Sequence, residues 1–264
     1  MRWSRFFIAA KNPGAPPPSP PVRAFNCLLV GLALSLLFFF CFRQLAYQWR
    51  WQLVGSYWQV FLQGWLCTIG LSAAALVLST LIGLLLALAR RSRLLALRYF
   101  GQIYVEVVRG TPLLVQIMIL CYVVANAFGL ENRAVLGVLI LSGFSGAYIA
   151  EIIRAGIESV ARSQLESAQA IGFTRPQIYR YVIFPQALRQ TLPPLAGQFA
   201  SLIKDSSLLY VIGTPEFTNK VLSVNATTFT NYECYLPLAL GYLVLTLPIS
   251  LWTRRLERRH QFDT

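Results

Sequence analysis

Four consecutive polar residues, Lys204, Asp205, Ser206 and Ser207, interrupt an apolar stretch of this sequence. Charged side chains inside a membrane span are costly and indicate a functional site by default. Neighbouring helical residues point about 100° apart, so Lys204 and Asp205 can both face a protein interior or an aqueous path, but not lipid. The serine hydroxyls can bond backbone groups if the helix loosens there. The segment therefore contacts a polar solute, or it forms an internal ion pair of Lys204 with Asp205 or Glu151.

Residues for enzymatic or metal chemistry are scarce in this sequence. It has one histidine, His260, and five cysteines, none of them in a Cys-x-x-Cys pair. A metal site or an acid–base centre needs a cluster of such groups, so we predict no catalytic residue and no metal site. No segment matches G-x-x-x-x-G-K-[ST], the loop that binds nucleotide phosphates. We therefore expect no ATP hydrolysis by this chain and no cofactor on it.

Composition indicates a membrane protein. The 264 residues are 56% hydrophobic and 12% charged, with a mean hydropathy of +0.56, and about 20 apolar residues cross a bilayer core. Long apolar runs predict an all-α, polytopic membrane helix bundle of about six transmembrane helices. The predicted spans lie near 24–42, 62–89, 110–130, 134–154, 192–212 and 234–253.

Basic residues predict the orientation of these spans. The net charge is +13, and most Lys and Arg residues fall in segments 1–23, 90–109, 154–189 and 254–259. Those segments share one side of the predicted bundle, which by the positive-inside rule is the cytoplasm. This distribution explains the charge better than nucleic-acid binding does. We expect both termini in the cytoplasm.

The segments outside the main bundle are predicted from composition. The proline-rich residues 1–23 are expected to form a disordered cytoplasmic tail. Residues 24–59 are expected to form an N-terminal transmembrane helix followed by an interfacial segment rich in Trp and Tyr. Residues 256–264 are expected to form a second cytoplasmic tail.

The longest predicted cytoplasmic connection has helix signals. Residues 163–171 favour a helix, and Gly172 is placed to end it in a left-handed turn. Thr174 can cap a second helix with Pro176 in its first turn, and Pro185 is expected to bend or end that helix. This predicts a projecting helix–turn–helix with Ile171 and Phe173 exposed near its tip. The alternative is a loop that lies flat on lipid headgroups.

This connection resembles a known motif. Glu166-Ser167-Ala168, three residues, Gly172, nine residues, and Val182-Ile183-Phe184-Pro185 are similar to the EAA loop of ABC importer permeases, whose pattern is EAA, three residues, G, nine residues, I-x-L-P. In that family the loop docks on a separate ATPase subunit. The resemblance implies a coupling loop over 158–189, with the ATPase-coupling residues Glu166, Ala168, Gly172, Phe173 and Pro185.

Three further segments resemble the polar amino acid branch of the same family, the histidine/glutamine/arginine-type permeases. They are RGTPLLVQ at 109–116, YIAEIIRAG at 148–156 and IKDSSL at 203–208. The resemblance covers about 60–255, which implies a permease transmembrane domain with these bounds. The first span is extra to the five-helix core that is usual in this branch.

The resemblance implies a permease subunit that moves a polar amino acid across the bacterial inner membrane into the cytoplasm. Its implied partners are an ABC ATPase subunit that uses ATP and Mg, a second permease subunit (a copy of itself or a homologous chain) and an extracytoplasmic substrate-binding protein. The alternative is an ion-gradient-driven amino acid carrier or a channel, although the internal repeat typical of carriers is not evident.

The resemblance also suggests roles for polar residues near the predicted spans. The substrate path is expected to include Lys204, Asp205, Ser206, Ser207, Gln198 and Gln116, although an interhelical hydrogen bond is an equal alternative for Gln116. A gating or structural role is expected for Glu106, Arg109, Thr111 and Glu151. Glu106 and Arg109 have the i, i+3 spacing of a helical ion pair.

Overall fold

The computed structural model describes residues 19–44 and 47–260, with side chains as far as residue 255. The chain divides into two compact units, Met1–Trp49 and Arg50–Thr264. In the first unit, α1 spans Pro20–Arg43, and none of its residues is buried. The helix begins inside the segment expected to be disordered, since proline is well accommodated in a first helical turn. The rest of that predicted tail lies outside the described residues.

In the second unit every described element is helical. The short α2 spans Trp51–Gly55 and the long α3 spans Trp58–Arg90, followed by α4 at Leu95–Gly110. The next two are α5, Leu113–Ile119 with a π-helical extension Leu120–Ala125, and α6, Arg133–Glu158. Then come α7, Arg162–Ala170, and α8, Arg175–Ile178, which a π-helical segment Tyr179–Ile183 joins to α9, Phe184–Asp205. A 3-10 helix Ser206–Ile212 precedes α10, Phe217–Thr228, and α11, Asn231–His260.

Helices α3 and α6 form the most extensive contact among the described elements. Two glycines allow it: a Cβ at Gly83 would lie 2.5 Å from Ile149 Cγ2, and a Cβ at Gly146 would lie 2.7 Å from Ile82 Cγ2. Small residues let helix backbones approach closely in membranes, where packing rather than hydrophobic burial drives association. The largest apolar core joins this pair to α5 and the 3-10 helix through Ile117, Leu141 and Leu209.

Of the described residues, four helices are long and apolar enough to cross a membrane: Pro20–Arg43, Trp58–Arg90, Arg133–Glu158 and Asn231–Arg255. A fifth candidate is the bent pair Leu95–Gly110 and Leu113–Ala125, whose halves meet at 109°. The polytopic all-α prediction is therefore confirmed, and the bounds of one of its spans are corrected.

The span predicted at 110–130 is wrong in its bounds. Thr111 is extended (φ −120°, ψ 145°), as steric clash with a following proline ring favours, so the chain turns sharply before α5 begins. Helix α5 and its extension end at Ala125. The span predicted at 192–212 corresponds to the end of α9, at Asp205, and the 3-10 helix Ser206–Ile212. Helix α9 has a polar face and is not among the apolar candidates.

Candidate coupling loop and translocation segment

Gly172 ends α7 in the predicted left-handed turn, with φ of +86°. The Phe173 N–H donates to Ala168 O at 3.0 Å, and the Gly172 N–H donates to Gln169 O at 3.0 Å. These two bonds satisfy carbonyls that the end of a helix leaves open, and the positive φ requires a residue without a side chain. The prediction for this turn is confirmed.

The second half of the loop is held by its own cap. Gln177 Oε1 accepts from the Thr174 N–H at 2.8 Å, and Pro176 lies in the first turn of α8. Of the two outcomes expected at Pro185, an end of the helix is absent, because the Phe184 N–H donates to Tyr179 O, five residues back. This wider π-type turn lets the helix pass the proline. Arg175 to Asp205 is therefore one unbroken helical run.

The tip of the loop is apolar and only partly exposed to solvent. Ile171 is 73% exposed, as predicted, but the Phe173 ring is half-buried with its centroid 6.3 Å from that of Tyr181. Ala168 is buried, which explains a small residue at that position of the motif. Glu166 lies on the exposed side, 3.2 Å from the Arg162 guanidinium.

At the other end of α9 the helix tightens where it was expected to loosen. The 3-10 helix begins at Ser206, whose hydroxyl donates to Ile203 O at 2.7 Å. The Ser207 hydroxyl donates to Lys204 O at 2.6 Å. Both hydroxyls therefore bond the backbone at the point where the helix type changes.

Lys204 and Asp205 form no ion pair within 4.0 Å among the described residues. Lys204 is exposed and Asp205 half-buried in this chain. Gln198, two turns earlier on α9, donates to Ser145 Oγ at 3.2 Å. Neither internal pair considered for Lys204 is therefore formed within 4.0 Å among the described residues.

Glu151 on α6 is fully engaged instead. Its carboxylate lies 2.8 Å from the Arg90 guanidinium, 2.5 Å from that of Arg154 and 3.6 Å from that of Arg109. These cations come from α3, α6 and α4, so the cluster ties three helices together. The pair expected between Glu106 and Arg109 is wrong, because packing of α4 on α6 turns Arg109 toward Glu151 and over the Tyr148 ring, 5.4 Å from its centroid.

The bend between α4 and α5 is fixed by Gln116 and Thr111. Gln116 Nε2 donates to Val108 O at 2.8 Å, to Thr111 O at 3.1 Å and to Thr111 Oγ1 at 2.7 Å. The Thr111 hydroxyl donates to Val107 O at 2.8 Å. These bonds satisfy carbonyls that the end of α4 leaves open. Of the two alternatives for Gln116, the structure has the interhelical hydrogen bond.

A buried carboxyl group at Glu216 has no counterpart in the sequence predictions. Its oxygens accept from the Thr218 N–H at 2.8 Å, the Asn219 N–H at 2.7 Å and the Tyr242 hydroxyl at 2.8 Å. Burial raises the pKa of Glu216, and the two N–H donors oppose that shift. The group caps α10 and fastens it to α11. An acidic residue just before a helix is the signal that could have revealed it.

These elements define a multi-span helical transport protein. Its helix α9 follows the coupling loop and ends in the charged segment at Lys204 and Asp205. Residues 79–261 match the family described as binding-protein-dependent transport system inner membrane component. The probable glutamine ABC transporter permease protein GlnM of Bacillus subtilis (strain 168) is 35% identical over 200 residues, covering 76% of this chain and 93% of that relative. The glutamine transport system permease protein GlnP of Escherichia coli (strain K12) is 36% identical over 217 residues, covering 80% and 98% respectively.

Solved structures agree with these relatives. The crystal structure of an amino acid ABC transporter with histidines matches with a TM-score of 0.75 at 35% identity, covering 81% of this chain and 100% of that chain. The MetNI methionine ABC transporter, in an inward-facing conformation, matches with a TM-score of 0.63 at 17% identity, covering 78% and 99%. At that identity the second likeness shows the fold alone.

The chain therefore belongs to the family of binding-protein-dependent transport system inner membrane components. It is the permease subunit of an ABC importer and a multi-pass inner membrane protein. Family membership decides against the alternative of an ion-gradient-driven carrier or a channel. A subunit of this kind works with an ATPase subunit and a substrate-binding protein.

Proposed function

We propose that this permease moves a polar amino acid of the glutamine type into the cytoplasm, and that the loop around Glu166 and Gly172 receives the ATPase. The two glutamine permease relatives and the 35% identical amino acid ABC transporter support the substrate class. The charge distribution supports a topology with both termini in the cytoplasm. ATP and Mg would be used by the ATPase subunit and not by this chain.

One observation carries the coupling proposal: the second half of the loop, from Arg175 onward, belongs to the same helical run as the charged segment. Helix α7, with Glu166, joins that run through the turn at Gly172. From Arg175 to Asp205 the backbone is helical without a break, a length on the order of 45 Å at about 1.5 Å per residue. A displacement of α8 by the ATPase can therefore be transmitted along this run to Lys204 and Asp205, through the π-helical segment and past Pro193 and Pro194 inside α9. The run connects the place where energy enters with the place where substrate is contacted.

The charged segment suits the two ends of a zwitterion. The Lys204 ammonium would bind the substrate carboxylate, and the Asp205 carboxylate would bind the substrate ammonium group. Charge-assisted hydrogen bonds of this kind are stronger than neutral ones. Gln198, half-buried on the same helix, would contact the substrate amide. A second permease subunit, a copy or a homologue, would complete the enclosure of the path.

Transport can be tested in proteoliposomes that contain the permease, its ATPase and the binding protein. We expect ATP-dependent glutamine uptake that unlabelled polar amino acids compete for and that ionophores leave unchanged. An ATPase subunit without hydrolytic activity should abolish it. Uptake that depends on an ion gradient and persists with the inactive ATPase would refute the proposal.

The docking site can be tested with a matched pair of variants. Gly172→Pro introduces a residue that cannot adopt φ of +86° and removes the bond to Gln169 O. We expect this variant to reach the membrane but to lose the ATPase on purification. Gly129→Pro is the control, since Gly129 has φ of +65° and its N–H bonds Asn126 O at 3.3 Å, but it lies outside the loop. Equal retention of the ATPase by both variants would contradict docking at Gly172.

A further inference from the structure

An apolar groove lies between the last turns of α3 and the first turns of α4. The helices touch along one side, where a Cβ at Gly101 would lie 2.9 Å from Arg90 Cγ and 3.4 Å from Leu86 O. The other side is open, with a volume of about 570 Å³, within the range of about 300–1,000 Å³ typical of small-molecule sites. The α3 wall includes Leu85, Leu88 and Ala89, and the α4 wall includes Leu97, Phe100 and Tyr104.

The walls of this groove offer almost nothing to a polar ligand. Leu85, Leu88 and Phe100 are each at least 60% exposed. The Tyr104 hydroxyl donates to Gly143 O at 3.1 Å, and Ser92 Oγ accepts from the Leu94 N–H at 3.1 Å, so both polar groups already have partners. An acyl chain that fills this groove would gain packing contacts with its walls, and packing drives association inside a membrane.

Two arginines are direct sequence neighbours of residues that line the groove. Arg93 follows Ser92 and Arg98 follows Leu97, both of which line it. Neither arginine forms an ion pair within 4.0 Å with any described residue, whereas Arg90 is bound to Glu151 and Arg91 lies over the Tyr179 ring. The sequence has no Asp or Glu from 90 to 105. The positive charge of this turn is therefore not neutralised by nearby residues of the chain.

We propose that this groove binds an anionic phospholipid, with an acyl chain between α3 and α4 and the phosphate at Arg93 and Arg98. The 33 residues of α3 span on the order of 50 Å, more than the ~30 Å of a bilayer core, so its last turn reaches the headgroups. Guanidinium groups bind phosphate oxygens in a bidentate manner, and basic pockets beside membrane helices recognise acidic headgroups. A free anion would leave the apolar walls uncovered.

The proposal can be tested by native mass spectrometry of the intact transporter in detergent. The probes are a phosphatidylglycerol, a phosphatidylcholine with the same acyl chains, and glycerol 3-phosphate, which has no chain. We expect phosphatidylglycerol to be retained, phosphatidylcholine to bind roughly twentyfold more weakly, and glycerol 3-phosphate not to compete. Equal retention of the two lipids, or competition by glycerol 3-phosphate, would overturn the proposal.

Variants separate the headgroup from the chain. Arg93→Gln with Arg98→Gln should weaken phosphatidylglycerol binding roughly twentyfold, about four- to fivefold for each arginine. Leu88→Trp, which fills the groove, should displace the lipid with all arginines present. Arg254→Gln with Arg255→Gln is the control, since these exposed residues carry the same charge elsewhere, and it should have no effect.

Two outcomes of these variants contradict the proposal. The same loss in the Arg254/Arg255 control would show unspecific attraction of acidic lipid. A Leu97→Cys variant that forms a disulfide to a second copy of the chain in membranes would show that protein, and not lipid, fills the groove.

Discussion

Glu151 and Lys204 are both charged residues in the membrane domain, yet their surroundings are opposite. Glu151 is 22% exposed and lies beside three arginines from three helices. Lys204 is exposed and forms no ion pair with a described residue. A charge with ion-pair partners fixes the positions of helices, whereas a charged residue in a membrane domain without such a partner is a candidate for a functional role. The comparison distinguishes a structural cluster at Glu151 from the ligand site that we propose at Lys204.

The largest expected effect is that of Glu151→Gln. It leaves Arg90 and Arg109 without a carboxylate and Arg154 with Glu158 alone, and removal of one partner from a buried pair costs about 3 kcal/mol or more. Partial exposure brings our expectation to roughly 2–3 kcal/mol. Thermal unfolding in detergent measures it. Glu158→Gln is the control, since Glu158 is exposed and pairs only with Arg154; equal losses in both variants would break the distinction.

Lys204→Met should show the reverse behaviour. Without an internal partner the lysine contributes little to stability, so we expect an unchanged unfolding temperature. A charged hydrogen bond to substrate is worth about 1.5–3 kcal/mol, so the KM for uptake should rise at least roughly tenfold. Lys204→Arg should restore part of the affinity. Normal uptake by Lys204→Met would remove Lys204 from the substrate path.

Gln116→Leu tests the bend between α4 and α5. Loss of the amide leaves Thr111 O and Val108 O without this donor, at a cost of about 1–2 kcal/mol. We expect lower thermal stability, and a fall in uptake that follows the fraction of folded protein. Gln63→Leu, at an exposed position of α3 and outside the coupling loop, is the control. A changed KM in folded Gln116→Leu protein would return Gln116 to the substrate path.

Ser207→Ala should have the smallest effect. Its hydroxyl is bonded to Lys204 O, and loss of such a local bond costs roughly 0.5–1 kcal/mol. Uptake should stay within about twofold of the original. A much larger loss of uptake at unchanged stability would show that the hydroxyl binds substrate, which would extend the ligand site beyond Lys204 and Asp205.

Local patterns in the sequence predicted the turn chemistry of the loop well. Gly172, Thr174 and Pro176 act within a few residues of their own positions, so their effect can be read without knowing the fold. The sequence did not decide whether Pro185 bends or ends its helix, because the π-type turn that lets the helix continue depends on hydrogen bonds over five residues. Arg109 was assigned to Glu106 by spacing, and only the packing of α4 on α6 brings it to Glu151.

The sequence by itself determined that the chain is a helical membrane protein with a helix–Gly172–helix loop and a charged segment at 204–205. Apolar length, charge asymmetry and turn residues are local properties, and they need no tertiary contact to act. Tertiary structure decided which charges are compensated. Ion pairs depend on distances of a few ångströms between segments that are distant in the sequence. Only the packed helices therefore show that Glu151 lies beside three arginines and that Lys204 has no ion-pair partner among the described residues.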